Sequence, residues 1–158
     1  MPSKPLTTYV THQPMTAVQV LEKAAEIVAE RYFHGDVFCS AKATKDFLTF
    51  KMGGYEREVF AVMLLDSQHS MIEFRELFFG SIDAASVYPR EVVKVGLEVN
   101  AAAIILAHNH PSGVPEPSQS DKRITSQLKD ALALVDIRVL DHIVVGETCV
   151  SFAERGLI

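Results

Sequence analysis

Apolar residues recur along this chain in two rhythms, one helical and one extended. Val18, Leu21, Ala25, Val28 and Tyr32 return at helical spacing, and Thr16 followed by Gln19 is a capping-box pair. A helix is expected from about Met15 to Phe33, stopped by His34-Gly35-Asp36. Ser40 suits the cap of a second helix through Phe50, packed by Phe47 and Leu48 and ended at Gly53-Gly54. The rhythm then changes. Val59 to Leu65 is an unbroken apolar run of strand length, Asp66-Ser67-Gln68-His69 turns the chain, and Met71 to Phe79 returns as the second arm of a hairpin.

Ser81 to Val87 reads as a connection, and Pro89 sits where the first residue of a helix tolerates proline. Glu91 in that first turn suits the helix dipole. Val92, Gly96 and Val99 make one stripe, widened by Val93 and Leu97. The run Ala101 to Ala107 predicts a strand buried on both faces. A helix opened by Ser118 carries Ile124, Leu128, Ala131 and Val135 on one side. Two strands, Ile137 to Val145 and Cys149 to Phe152, close the chain around Gly146-Glu147. This order predicts an α/β or α+β fold, a mixed sheet with flanking helices. Residues 1–13, with Pro2 and Pro5, read as a flexible leader, and residues 14–54 as an N-terminal helical segment.

Composition changes this picture little. At 158 residues the chain is long enough to bury a core without staples, and 48% hydrophobic with 22% charged residues is ordinary for a globular protein. A net charge of −5 gives no support to broad nucleic-acid binding, although it leaves room for a local basic patch. Cys39 and Cys149 lack a C-x-x-C partner and read as reduced thiols, with a single disulfide as the alternative. No run has the length of a membrane span and the N-terminus is not signal-like, so a cytoplasmic protein is expected. The stripe from Val18 to Tyr32 is core or the face of a homodimer.

The candidate chemistry lies just beyond the buried strand, in His108-Asn109-His110-Pro111-Ser112-Gly113 followed by Ser118 and Asp121. Side chains alternate along a strand, so His108 and His110 point to one face and Asn109 to the other. The loop after Pro111 then brings Asp121, in the first turn of the next helix, toward the same point. Zinc accepts imidazole nitrogen and carboxylate oxygen at roughly 2.0–2.2 Å in a tetrahedron. Three protein ligands leave one position for water, whose pKa the metal lowers to about 7. Ser118 is close enough in sequence to donate to an oxyanion, and the base has to come from elsewhere in the chain.

His108-x-His110-Pro111 with Ser118-x-x-Asp121 resembles the JAMM motif of JAB/MPN-domain metallohydrolases. Tyr88-Pro89-Arg90-Glu91-Val92 and Val139-Leu140-Asp141-His142 add a resemblance to the bacterial RadC-like branch. The resemblance runs from roughly Glu56 to Ile158 and implies a JAB/MPN-like (cytidine-deaminase-like) domain over residues 55–158. It implies one zinc ion per chain on His108, His110 and Asp121, oxyanion assistance from Ser118, and a general base at Glu58 just ahead of Val59-Phe60-Ala61-Val62. The implied activity is amide hydrolysis on a peptide or protein. Asn109 stands where the eukaryotic and archaeal peptidases usually carry Ser or Thr, which argues against isopeptide or ubiquitin-like substrates. No Gly-x-Gly hairpin precedes the domain, so the chain is similar to a short form without the helix-hairpin-helix segment.

Each signal also has a plainer reading. An isolated H-x-H is usually a pair of polar edge residues, and Ser118-x-x-Asp121 can be a capping box whether or not it serves a metal. Glu58 lies in a charged Glu56-Arg57-Glu58 run, which keeps Glu76 as an alternative base. Asp141 and His142 are neighbours on a strand and face opposite ways. One of them can orient a ligand, while His142 is more simply a hydrogen-bonded core residue. Arg90 and Glu91 are a helix start, and His12, His34 and His69 surface residues. The reading that results is a zinc-dependent peptidase. A metal-dependent nuclease and a DNA repair or recombination binding module with a closed structural zinc are the alternatives.

Overall fold

The computed structural model of the protein describes residues 8–33, 41–80 and 87–158. The expected stop at His34-Gly35-Asp36, the cap at Ser40, Cys39, residues 1–7 of the leader and residues 81–86 of the connection lie outside that set. The capping box at Thr16 forms in both directions: Gln19 N donates to Thr16 Oγ1 at 3.3 Å, and Thr16 N donates to Gln19 Oε1 at 2.9 Å. It opens α1 (Ala17–Phe33), followed by α2 (Ala41–Met52), β1 (Val59–Leu65) and β2 (Met71–Phe79). Then come α3 (Pro89–Glu98), β3 (Ala103–Asn109), α4 (Gln119–Ala133), β4 (Arg138–Val145) and β5 (Cys149–Ser151).

The strands form one sheet in the order β2-β1-β3-β4-β5. β3 and β4 are parallel, joined across α4, and the other pairs are antiparallel. Helices cover both faces. Ala25 of α1 and Phe47, Leu48 and Met52 of α2 pack with Ala61, Met63, Ile105 and Ala107 on one side. Val92 of α3 and Ile124, Leu128 and Leu132 of α4 pack with Phe60, Val62, Ile104 and Leu106 on the other. β1 and β3 are thus buried along their whole length, which is why each reads as an uninterrupted apolar run.

Several expected details shift. Leu97 does not widen the α3 stripe; it is 55% exposed, and Gly96 instead lets α3 approach Ile137 and Ile104 closely. Val18 is exposed in the first turn of α1, while Leu21, Ala25 and Val28 turn inward. β3 starts at Ala103, because the backbone N–H groups of Ala101 and Ala102 bond to Gly96 and Leu65 carbonyls outside the β3 ladders. It continues through His108 and Asn109, both fully or nearly buried.

Two register shifts decide which side chains share the face of His108. In the β1–β2 ladder, Phe60 pairs with Phe78 but Ala61 pairs with Glu76. The extra residue, Leu77, turns Glu76 to the α1–α2 face, where it accepts the Tyr55 hydroxyl. In the β3–β4 ladder, Ile104 pairs with Val139 but Ile105 pairs with Asp141. That second shift brings His142, opposite Leu106, onto the α3–α4 face together with His108.

Candidate metal centre

The centre sits where β3 ends and α4 begins. Ser118 caps α4: its Oγ accepts from Asp121 N at 3.0 Å, and Asp121 Oδ2 accepts from Ser118 N at 2.7 Å. The plain capping reading of Ser118-x-x-Asp121 is therefore real, and it also aims Asp121 inward. Asp121 is 2% exposed, with Oδ1 3.3 Å from His108 Nε2 and Oδ2 3.7 Å from His110 Nε2. The two Nε2 atoms lie 2.9 Å apart. The cap bond engages a lone pair of Ser118 Oγ, which leaves its proton free to donate elsewhere.

These separations match what a small tetrahedral cation asks for. Bonds of about 2.0–2.1 Å place ligand atoms about 3.3 Å from one another. Among the described residues, His108, His110 and Asp121 are the group of metal-ligating side chains that converges in this way.

The tautomers follow from the partners of each ring. His110 Nδ1 lies 2.8 Å from the Val114 carbonyl, which can only accept, so Nδ1 carries a proton and, in the neutral ring that a metal binds, Nε2 is bare. Thr125 donates its hydroxyl proton to the Asp121 carbonyl at 2.6 Å, so it accepts from His142 Nδ1, also at 2.6 Å. Burial, reinforced by His108, pushes the pKa of His142 well below the usual histidine value, so that ring is neutral and its Nε2 is bare. It accepts from His108 Nδ1 at 2.8 Å, which leaves Nε2 of the neutral His108 ring bare as well. Two nitrogen lone pairs and a carboxylate thus face one point.

Without a cation, a proton at Nε2 can serve the same carboxylate: burial raises the Asp121 carboxyl, but hydrogen bonds and charge from His108 and His110 in their Nε2-protonated form outweigh it and hold the group well below the usual carboxylate range. Asp121 in turn raises the pKa of His110, with a smaller contribution from Glu58. Phe60 lies parallel to His108 at 6.3 Å and Phe152 stacks on His142 at 4.6 Å, so the buried rings are walled by aromatic carbon.

Glu58 is half-buried immediately before β1. The β1–β3 ladder begins with Phe60 opposite His108, and Glu58 lies near enough beyond it for its charge to act on His110. Its backbone is held from both sides by Asn109, whose Oδ1 accepts from Val59 N at 2.8 Å and whose Nδ2 donates to the Arg57 carbonyl at 3.0 Å. Asn109, read in the sequence only as a departure from the peptidase pattern, is the tie between the two strands at the centre. Asn109→Ala is expected to lower stability by about 1–3 kcal/mol, because it leaves the buried Val59 N–H without an acceptor. Urea denaturation reads this directly, and an unchanged midpoint would refute the tie.

Of the other candidates, His142 turns out to be both a core residue and the partner of His108, whereas Asp141 faces away. Asp141 accepts from Ser151 Oγ, Ala153 N and His142 N, and so anchors the C-terminal turn. His12 is exposed, and His69 sits at a positive-φ turn position beside Arg138. Cys149 is a free thiol near Thr49. A cleft of about 160 Å³ opens beside His110, lined by Tyr55, Asn109, Gly113 and Glu147. A larger one, about 880 Å³, lies at the opposite end of β3, against Ala102 and Arg138. None of the described helices is long and apolar enough to cross a membrane.

Comparison with known proteins places this geometry in context. Residues 38–157 match the sequence model of the RadC-like JAB domain. A UPF0758 protein of Vibrio cholerae serotype O1 is 67% identical over 138 residues, covering 87% of this chain and 88% of its own length. A second one from the same organism is 62% identical over 148 residues, 94% of both chains. A UPF0758 protein of Pseudoalteromonas translucida is 59% identical over 140 residues, 88% of this chain and 62% of the longer relative.

Proposed function

This chain belongs to the RadC-like JAB-domain family, and from that premise we propose that it is a zinc-dependent metallohydrolase, a peptidase of the JAMM type. The observation that carries the reading is the convergence of the His108 and His110 Nε2 atoms, 2.9 Å apart, with the Asp121 carboxylate beside them. Lone pairs held so close repel unless a proton or a cation lies between them. A donor set of two imidazoles and one carboxylate suits zinc, whereas magnesium and calcium favour all-oxygen sites.

His108, His110 and Asp121 would hold the ion. When bound, it supplies Lewis acidity and brings the pKa of water down to about 7. Glu58, whose charge acts on His110, takes a proton from the attacking water and returns it to the leaving amine nitrogen. Ser118 Oγ–H, with its lone pair already engaged by the helix cap, donates to the oxyanion. Asn109 keeps Glu58 at the mouth of the centre, and the cleft beside His110 offers room for the chain being cut.

Purified protein is expected to contain about one zinc per chain by elemental analysis. It should turn over members of a peptide library, lose that turnover to a chelator, and leave single- and double-stranded DNA intact. DNA cleavage with untouched peptides would replace this reading with a metal-dependent nuclease. Salt-sensitive DNA binding without turnover of either would replace it with a repair or recombination binding module.

A further inference from the structure

Thr125 is fully enclosed in α4, one turn past Asp121 and 2% exposed, and its hydroxyl is bonded on two sides. One bond goes to the backbone carbonyl of Asp121, the other to His142 Nδ1. With His142 Nε2 on His108 Nδ1, and His108 Nε2 beside Asp121 Oδ1, the contacts close a ring. That ring starts and ends on Asp121 and passes through a second member of the candidate ligand set.

We propose that Thr125 is a positioning residue that fixes the tautomer of His108 through His142, and so sets the metal affinity of the centre. The inference rests on the metal reading above. Its logic is proton bookkeeping along the ring. A hydroxyl that spends its only proton on a carbonyl can offer the next group nothing but a lone pair. In the neutral rings, His142 therefore carries its proton on Nδ1, His108 carries its own on Nδ1, and the nitrogen facing His110 and Asp121 is bare. Without the hydroxyl, the buried His142 Nδ1–H has no acceptor. Moving that proton to Nε2 relieves the ring but sets it against His108 Nδ1–H, 2.8 Å away. His108 then has to shift its own proton to Nε2, the atom the cation needs. Ligand orientation from a neighbouring hydrogen bond is common in metal sites; here the choice is made two residues removed, by an aliphatic hydroxyl.

The test uses the full chain with Thr125→Val, which keeps the volume and removes the hydroxyl, and Thr125→Ser, which keeps the hydroxyl. Two-bond ¹H–¹⁵N correlation spectra of the metal-free proteins read the histidine tautomers. Competition against a chromophoric chelator reads zinc affinity, and thermal melting shows that each variant is folded. The wild type and the serine variant should carry the His108 proton on Nδ1, and the valine variant should move it to Nε2. Zinc affinity should fall about 10–100-fold in Thr125→Val and stay within about threefold in Thr125→Ser. If the valine variant does not fold, Thr125→Ala takes its place with the same expectation. A wild-type His108 protonated on Nε2, or a valine variant that keeps the Nδ1 tautomer and its zinc affinity, overturns the proposal. A wild type that shows the Nδ1 tautomer and its shift in the variant, yet takes up no zinc, overturns the metal reading and keeps the hydrogen-bond relay.

Discussion

Asp121→Ala is expected to reduce the metal content of the purified protein from about one ion per chain to less than about a tenth, and to abolish turnover with it. Asp121 supplies the only anionic side chain in the group with His108 and His110, so its loss leaves two neutral nitrogens to hold a divalent ion alone. The same carboxylate accepts from Ser118 N, and removing it also strips one half of the α4 capping box, at a cost of about 1 kcal/mol. Asp121→Asn separates the two roles. An amide oxygen can still accept from Ser118 N, so this variant should unfold at nearly the wild-type denaturant concentration while binding little metal. Elemental analysis beside urea unfolding gives both numbers. A full complement of metal in Asp121→Ala would remove Asp121 from the ligand set.

Glu58→Gln should lower kcat by about 10²–10⁴-fold on whichever peptide the library identifies, with zinc content unchanged. The glutamine keeps the size and polarity of the side chain and loses only the capacity to take a proton. Glu58 sits just ahead of β1, its carboxylate adds to the raised pKa of His110, and Asn109 ties the backbone on either side. Glu76 provides the comparison. It accepts the Tyr55 hydroxyl on the opposite face of the sheet, so Glu76→Gln should leave kcat close to wild type. Full turnover in Glu58→Gln would take the base assignment away from Glu58. A kcat lost in Glu76→Gln instead would hand it to Glu76, on the opposite face of the sheet.

The amino-acid sequence by itself determined the local pieces. β1 and β3 announce themselves as apolar runs because both of their faces are covered, and α4 through its Ser118–Asp121 cap, because helix capping is decided within three residues. The candidate ligands were legible for the same reason: the strand repeat puts His108 and His110 on one side, and the cap fixes where Asp121 points. The tertiary structure alone decided everything that depends on pairing between distant segments. A strand has a side-chain period of two, so one extra residue exchanges its faces. The extra residue at Leu77 carries Glu76 away from the histidines. The one at Leu140 brings His142, rather than Asp141, against His108. Neither shift leaves a mark in hydrophobic patterning, and the Asn109 tie to Arg57 and Val59 spans about fifty positions of sequence. Local spacing named the groups that can hold a cation; strand register chose which neighbours hold those groups in place.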